Sequence, residues 1–193
     1  MGSTKSKKHG SHVLTDEVIE DVKRNTNFTD KQIQKYYNGF IKDCPDGYLT
    51  RRKLEETYKV ISPKGNPTEF CKAVFNAFDA NSDGLINFHE YMLAMALIVS
   101  DKFEDSLKIA FKIYDIDKNG FLSLKELEQS LRAIYNLKQD TCRIEFNKAN
   151  IKEVSARIMQ HCDTSKDNQI SLEEFVAACK DDCVITAMHT VQF

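Results

Sequence analysis

In residues 79–90, DANSDGLINFHE, oxygen donors recur at alternate positions: Asp79, Asn81 and Asp83 offer side-chain oxygens, Leu85 its backbone carbonyl, and Glu90 a carboxylate able to bind with both oxygens. Such a set suits a hard divalent cation. Calcium takes about six to eight oxygen ligands, and a loop with donors at its first, third, fifth, seventh and twelfth positions wraps it, with a glycine sixth to make the sharp turn. Gly84 holds that sixth position.

Recurrence separates this chemistry from a merely solvated acidic stretch. Residues 115–126, DIDKNGFLSLKE, repeat it with Asp115, Asp117, Asn119, the carbonyl of Phe121, Glu126 and the turn residue Gly120. Residues 163–174, DTSKDNQISLEE, repeat it again with Asp163, Ser165, Asp167, the carbonyl of Gln169 and Glu174. This last copy has Asn168 in place of glycine, and asparagine tolerates positive φ better than most residues. Ser165 brings only a neutral hydroxyl, which makes this the weakest of the three sites.

A fourth, degenerate copy lies upstream. With Gly47 as the turn residue, Lys42 and Lys53 fall at the first and twelfth positions, Cys44 at the third and Asp46 at the fifth. Two cations replace two carboxylates and Pro45 stiffens the turn, so this loop is expected to bind no calcium. It should still pair: Leu49 with Ile86, and downstream Leu122 with Ile170, each in a short antiparallel ladder.

The elements that position these loops are helices. Residues 13–40 read as helical, with Thr29 and Gln32 spaced as a capping box, and Asn66, Pro67 and Glu69 form a compact helix start. Asn87 with Glu90, Ser123 with Glu126 and Ser171 with Glu174 have the same box spacing, so each closing glutamate should sit on the first turn of an exit helix. Turn residues at 47, 84, 120 and 168 show three evenly spaced repeats and a delayed fourth. The delay is an insertion around 136–150, read as a surface loop.

Composition narrows the class. At 193 residues and 41% hydrophobic content the chain can bury a sizeable core, and a formal charge of -2 argues against a nucleic-acid binder. Cys44, Cys71, Cys142, Cys162, Cys179 and Cys183 show no metal-finger or CxxC spacing and read as reduced cytoplasmic thiols. No GxxxxGK[ST], HExxH or GxSxG motif points to an enzyme. The start, MGSTKS, fits N-myristoylation at Gly2, and Lys5, Lys7 and Lys8 supply the basic second signal that one acyl chain needs for stable anchoring.

Taken together, the MGxxxS start, the run YYNGFIKDCPDG at 36–47 with its disabled loop, the three intact loops and the late fourth repeat resemble the neuronal calcium sensors, the group of recoverin, frequenin, hippocalcin and the visinin-like proteins. The resemblance implies an all-α fold of four EF-hands paired into two lobes, with short β ladders between paired loops. Its expected layout is an acylated tail (1–14), an N-terminal pair (15–98), a C-terminal pair (101–180) and a tail helix (181–193). It also implies a target groove lined by Tyr36, Phe40, Leu54, Tyr58, Ile61, Tyr91 and Met95. Tyr36 stands where the family usually has tryptophan.

The function expected is that of a calcium sensor without catalysis, binding two or three calcium ions, with magnesium as an alternative occupant at rest. Ion loading exposes the groove to amphipathic helices of target proteins of the kinase, channel or receptor type. Three ions would take the formal charge from -2 to +4, adding 2 for each, which favours an anionic membrane surface. The protein is read as cytoplasmic, reversibly membrane-bound, and a monomer or weak dimer. The rival readings are a calcium buffer whose lobes barely open, and a permanently bound regulatory subunit of a channel, kinase or phosphatase.

Overall fold

The computed structural model describes residues 14–137 and 150–181. Gly2, the basic cluster, most of the insertion, Cys142, Cys183 and the tail lie outside them. Among the described residues the order is α1 (Asp16–Asn25), α2 (Asp30–Asp43), β1 (Tyr48–Leu49), α3 (Arg51–Ile61), α4 (Thr68–Phe78), β2 (Ile86–Asn87), α5 (Phe88–Ile98), α6 (Phe103–Tyr114), β3 (Phe121–Leu122), α7 (Leu124–Leu137), α8 (Ile151–Cys162), β4 (Ile170–Ser171) and α9 (Leu172–Asp181). This is the all-α, helix–loop–helix architecture expected.

Both ladders have the register read from the sequence: Leu49 lies opposite Ile86, and Leu122 opposite Ile170. The helix starts follow local chemistry. Thr29 accepts the Gln32 N–H at 3.4 Å while Gln32 Oε1 accepts the Thr29 N–H at 2.9 Å, a complete capping box.

The helical stretch read over 13–40 is two helices: the first ends at Asn25, and the second opens at the Thr29 capping box as expected and continues to Asp43. Thr26 turns its hydroxyl back on the Val22 carbonyl at 2.7 Å and Thr29 opens a new helix, so the chain reverses between them. At the start of α4, Asn66 Oδ1 does accept the Thr68 N–H at 3.1 Å, but Glu69 is not what satisfies the Asn66 N–H. That group donates to the carbonyl of Asn136 at 2.7 Å, because the end of α7, with its unmet carbonyls, is packed there.

The core divides unevenly. A large cluster runs from Tyr58 to Cys179 and takes in α4, α6, α7, α8 and α9, with Phe70, Tyr114 and Phe175 fully buried. Each such ring contributes about 1.5–3 kcal/mol. A smaller cluster joins α1, α2 and α5 through Val22, Ile33, Phe40, Cys44, Phe88 and Met92. Leu49 and Tyr91 pack against both. His89 of α5 places its Nε2 2.6 Å from Asp21 Oδ2 of α1. Among the described residues Cys44, Cys71, Cys162 and Cys179 are buried thiols, none of them in a disulfide.

The larger cluster crosses from the front helices to the back ones, and the seam is bonded as well as packed. Ser62 Oγ donates to the Leu137 carbonyl at 2.6 Å, and a Cβ added to Gly65 would lie 1.9 Å from that same oxygen. Between α4 and α7 lies an open cleft of about 660 Å³ whose lining includes Asn76, Ile116 and Asn136.

Candidate metal centres

Each intact loop begins where a helix stops. Helices α4, α6 and α8 end at Phe78, Tyr114 and Cys162, one residue before Asp79, Asp115 and Asp163. The turn that follows uses two positive-φ residues per loop. The fourth position takes φ of 58°, 60° and 63° at Ser82, Lys118 and Lys166, and the sixth takes 81°, 86° and 65° at Gly84, Gly120 and Asn168. Asn168 thus adopts the left-handed conformation expected of it.

The first-position aspartates organise these turns. Asp79 accepts the N–H groups of Asp83 at 3.2 Å and Gly84 at 2.9 Å; Asp115 accepts those of Asn119 at 3.0 Å and Gly120 at 2.9 Å. Asp163 does the same with Asp167 at 3.2 Å and Asn168 at 2.9 Å. Within the loops Asn81 Oδ1 and Asp117 Oδ1 accept the N–H two residues on, at 2.9 and 3.1 Å, so the third-position donors also face inward.

The closing glutamates bridge loop and helix. Glu90 Oε1 accepts the Ala80 N–H at 3.0 Å while Oε2 accepts the Asn87 N–H at 3.0 Å. Glu126 repeats this with Ile116 at 2.9 Å and Ser123 at 2.9 Å, and Glu174 with Ser165 at 2.9 Å and Ser171 at 2.9 Å. Each capping box is completed by the glutamate N–H on Asn87, Ser123 or Ser171. One carboxylate therefore ties the top of the loop to the root of the exit helix.

The donor chemistry fits calcium. Oxygens bound to one ion at roughly 2.3–2.6 Å can lie no more than about 5 Å apart. Carboxylate oxygens of Asp115, Asp117 and Glu126 all fall within 4.8 Å of one another. In the other two loops the third position is Asn81 or Ser165, so the sets there are mixed carboxylate, amide and hydroxyl oxygens.

Asp79, Glu90, Asp115 and Glu126 are buried, whereas Asp163 and Glu174 are only half-buried. Burial raises the Asp115 carboxyl above its ordinary value, with the Gly120 and Asn119 N–H groups working against it. The opposite holds at Glu174. The Ser171 and then Ser165 N–H groups hold its carboxyl down to about 2.

The degenerate loop differs from the other three in its backbone as well as in its charge. Its fourth position is Pro45, whose ring fixes φ near -65°, whereas the other three loops need about +60° there. Helix α2 accordingly overruns Lys42 to end at Asp43, and the Cys44 N–H caps it on the Phe40 carbonyl at 2.7 Å.

Of the seven expected groove residues, Tyr36, Phe40 and Tyr91 come together, with ring centres 6.4 Å apart for Tyr36–Tyr91 and 5.0 Å for Phe40–Tyr91. Tyr58 belongs to the other cluster, edge-on to Phe70 at 5.3 Å, with Leu54 packed beside it. Met95 is half-buried and only Ile61 is exposed, at 67%. Two bonds to loop 115–126, between Lys118 and Asp79 of loop 79–90 and between Asn76 of α4 and Ile116, lie beyond what the sequence shows. Spacing along the chain carries no signal for either.

Paired helix–loop–helix units with oxygen-lined twelve-residue loops define an EF-hand protein. The family model described as an EF-hand domain pair matches residues 104–180, and one described as EF hand matches 72–95. The chain is 35% identical over 178 residues to neuronal calcium sensor 1 of Lymnaea stagnalis, covering 92% of this chain and 93% of that one. Recoverin of Homo sapiens is 28% identical, with 91% and 86% covered, and S-modulin of Aquarana catesbeiana 30% identical with the same coverage. The chain belongs to the neuronal calcium sensor family. It is a calcium-binding sensor and not an enzyme. Among the described residues no helix is long and apolar enough to cross a membrane.

Proposed function

We propose that the protein couples calcium to the exposure of a front-half aromatic groove, which takes an amphipathic helix of a target protein at a membrane. The ions are held by loops 79–90, 115–126 and 163–174, through Asp79, Asn81, Asp83, Leu85 and Glu90, Asp115, Asp117, Asn119, Phe121 and Glu126, and Asp163, Ser165, Asp167, Gln169 and Glu174. Bound calcium supplies a fixed centre of positive charge in each loop; everything else is done by the chain.

One observation carries this reading: the closing glutamate of each loop stands on the first turn of its exit helix and bonds the loop with its other oxygen. Redirecting that carboxylate toward the loop centre pulls the helix root with it, so ligation becomes a change of helix angle. Helix α5, rooted at Glu90, carries Tyr91 and Met95, and Tyr91 packs on both core clusters. Tilting α5 therefore parts the aromatic wall of Tyr36 and Phe40 from the apolar side chains of Leu54, Tyr58 and Ile61. Acylation at Gly2, with the lysines after it, holds the protein reversibly at an anionic cytoplasmic surface.

The test is apolar-dye fluorescence with and without calcium, alongside calorimetric ion counting. Calcium should raise the dye signal in the parent, and Glu90→Gln should remove both that rise and one ion. An unchanged dye signal alongside bound ions would make the protein a buffer. A count of four ions would overturn the reading of the first loop.

A further inference from the structure

Among the described residues the ladders join loops only within a pair: β1 with β2, and β3 with β4. Loops 79–90 and 115–126 belong to different pairs, yet they touch. Lys118, the fourth residue of its loop, donates from Nζ to the backbone carbonyl of Asp79 at 2.8 Å. A second bond runs the other way, from Asn76 Nδ2 on the last turn of α4 to the carbonyl of Ile116 at 2.8 Å. Both are part-buried, and beside them the Lys112 ammonium lies 5.3 Å from the centre of the Phe78 ring. The start of loop 79–90 and the helix leading into it are thus bonded to the start of loop 115–126.

We propose that Lys118 and Asn76 are positioning residues that couple ion binding in loop 79–90 to ion binding in loop 115–126, in both directions. The inference rests on reading both loops as calcium sites. Lys118 sits between Asp117 and Asn119, two donors of its own loop, at φ 60°. Once those donors are fixed on an ion, the Lys118 backbone is fixed too, and its ammonium meets the Asp79 carbonyl at a smaller loss of side-chain freedom. The Asp79 peptide carries the first donor of the other loop. Ordering completed at one site therefore need not be repeated at the second, and linkage makes the effect equal in both directions.

The Lys118 charge also repels a cation in loop 79–90, whatever the state of its own loop. The quantity to measure is consequently the dependence of one site on the other and not either affinity by itself.

Calorimetric calcium titration of full-length proteins decides the matter, all carrying Glu174→Gln so that heats come from the two loops alone. With the bonds intact, Glu126→Gln should weaken loop 79–90 at least about fivefold, and Glu90→Gln should weaken loop 115–126 by the same factor. With Lys118→Met and Asn76→Ala present, each effect should shrink below about twofold. Lys118→Met alone, a change at an exposed residue that keeps the aliphatic stem, carries the same comparison should the double form not fold. Equal effects of Glu126→Gln in both backgrounds would overturn the coupling while leaving both loops as calcium sites. Absence of calcium heat in the protein carrying only Glu174→Gln would overturn the underlying reading instead.

Discussion

Leu49 stands directly opposite Ile86 in an antiparallel ladder, although the loop that carries Leu49 has lysines where its first and last ligands should be. The degenerate loop is therefore a structural partner of the first intact one. Leu49 also packs on both core clusters, half-buried between them.

Leu49→Ala should accordingly destabilise the metal-free protein by about 1–2 kcal/mol, below the range for a fully buried leucine because the site is half-exposed. It should also weaken the ion bound by 79–90, which Leu49 does not touch. Urea unfolding and calcium titration measure the two effects.

Restoring charge alone should not revive the first loop. With Lys42→Asp, Cys44→Asp and Lys53→Glu, the calorimetric ion count should stay unchanged, because proline at the fourth position cannot reach the positive φ that Ser82, Lys118 and Lys166 adopt. Adding Pro45→Lys should raise the count by one. A gain before that last change would show that charge was the whole obstacle.

Asn168 at φ 65° sits in a conformation costing an ordinary side chain about 1–2 kcal/mol. Asn168→Ala should lower the affinity of loop 163–174 about tenfold, whereas Asn168→Gly should hold or improve it. Competition against a calcium-sensitive dye distinguishes them.

Acid should act on the last loop in a defined window. The Glu174 carboxyl is held from its ordinary 4.5 down to about 2, first by the Ser171 N–H. A depressed folded-state value means that its contribution to the metal-free fold is complete above 4.5 and disappears as pH falls from there toward 2. Glu174→Gln should flatten the stability curve across that window and leave its neutral-pH shape unchanged. Because Glu174 is half-exposed the effect is small, and unfolding at several pH values in low salt is the measurement that resolves it.

How much of this could be read without coordinates follows from the range of each interaction. Capping boxes at Thr29, Asn87, Ser123 and Ser171 depend on residues three apart, and all four form. Ladder registers follow from loop alignment, so Leu49 with Ile86 and Leu122 with Ile170 were legible too. What escaped is long-range. Asn66 turns to Asn136, Ser62 to Leu137, Asn76 to Ile116 and Lys118 to Asp79, and no local pattern announces any of these. The second helix is legible from the Thr29 capping box, whereas the end of the first at Asn25 is marked by no breaker residue and shows only in the fold, where the Thr26 hydroxyl turns back to the Val22 carbonyl. The stiffness of Pro45 is legible from the sequence, whereas the sign of φ that its position takes in the other three loops shows only in the fold.

The turn at 62–66 rests so tightly on the end of α7 that even one methyl at Gly65 would strike the Leu137 oxygen. Severing the chain near Val99 would therefore not liberate two miniature sensors. The amputated front would keep α4 with its greasy flank of Phe70, Phe75 and Phe78 stripped of the neighbours that wet-proof it. Anyone preparing that fragment for spectroscopy should expect a pellet, and would do better to silence individual loops inside the whole molecule.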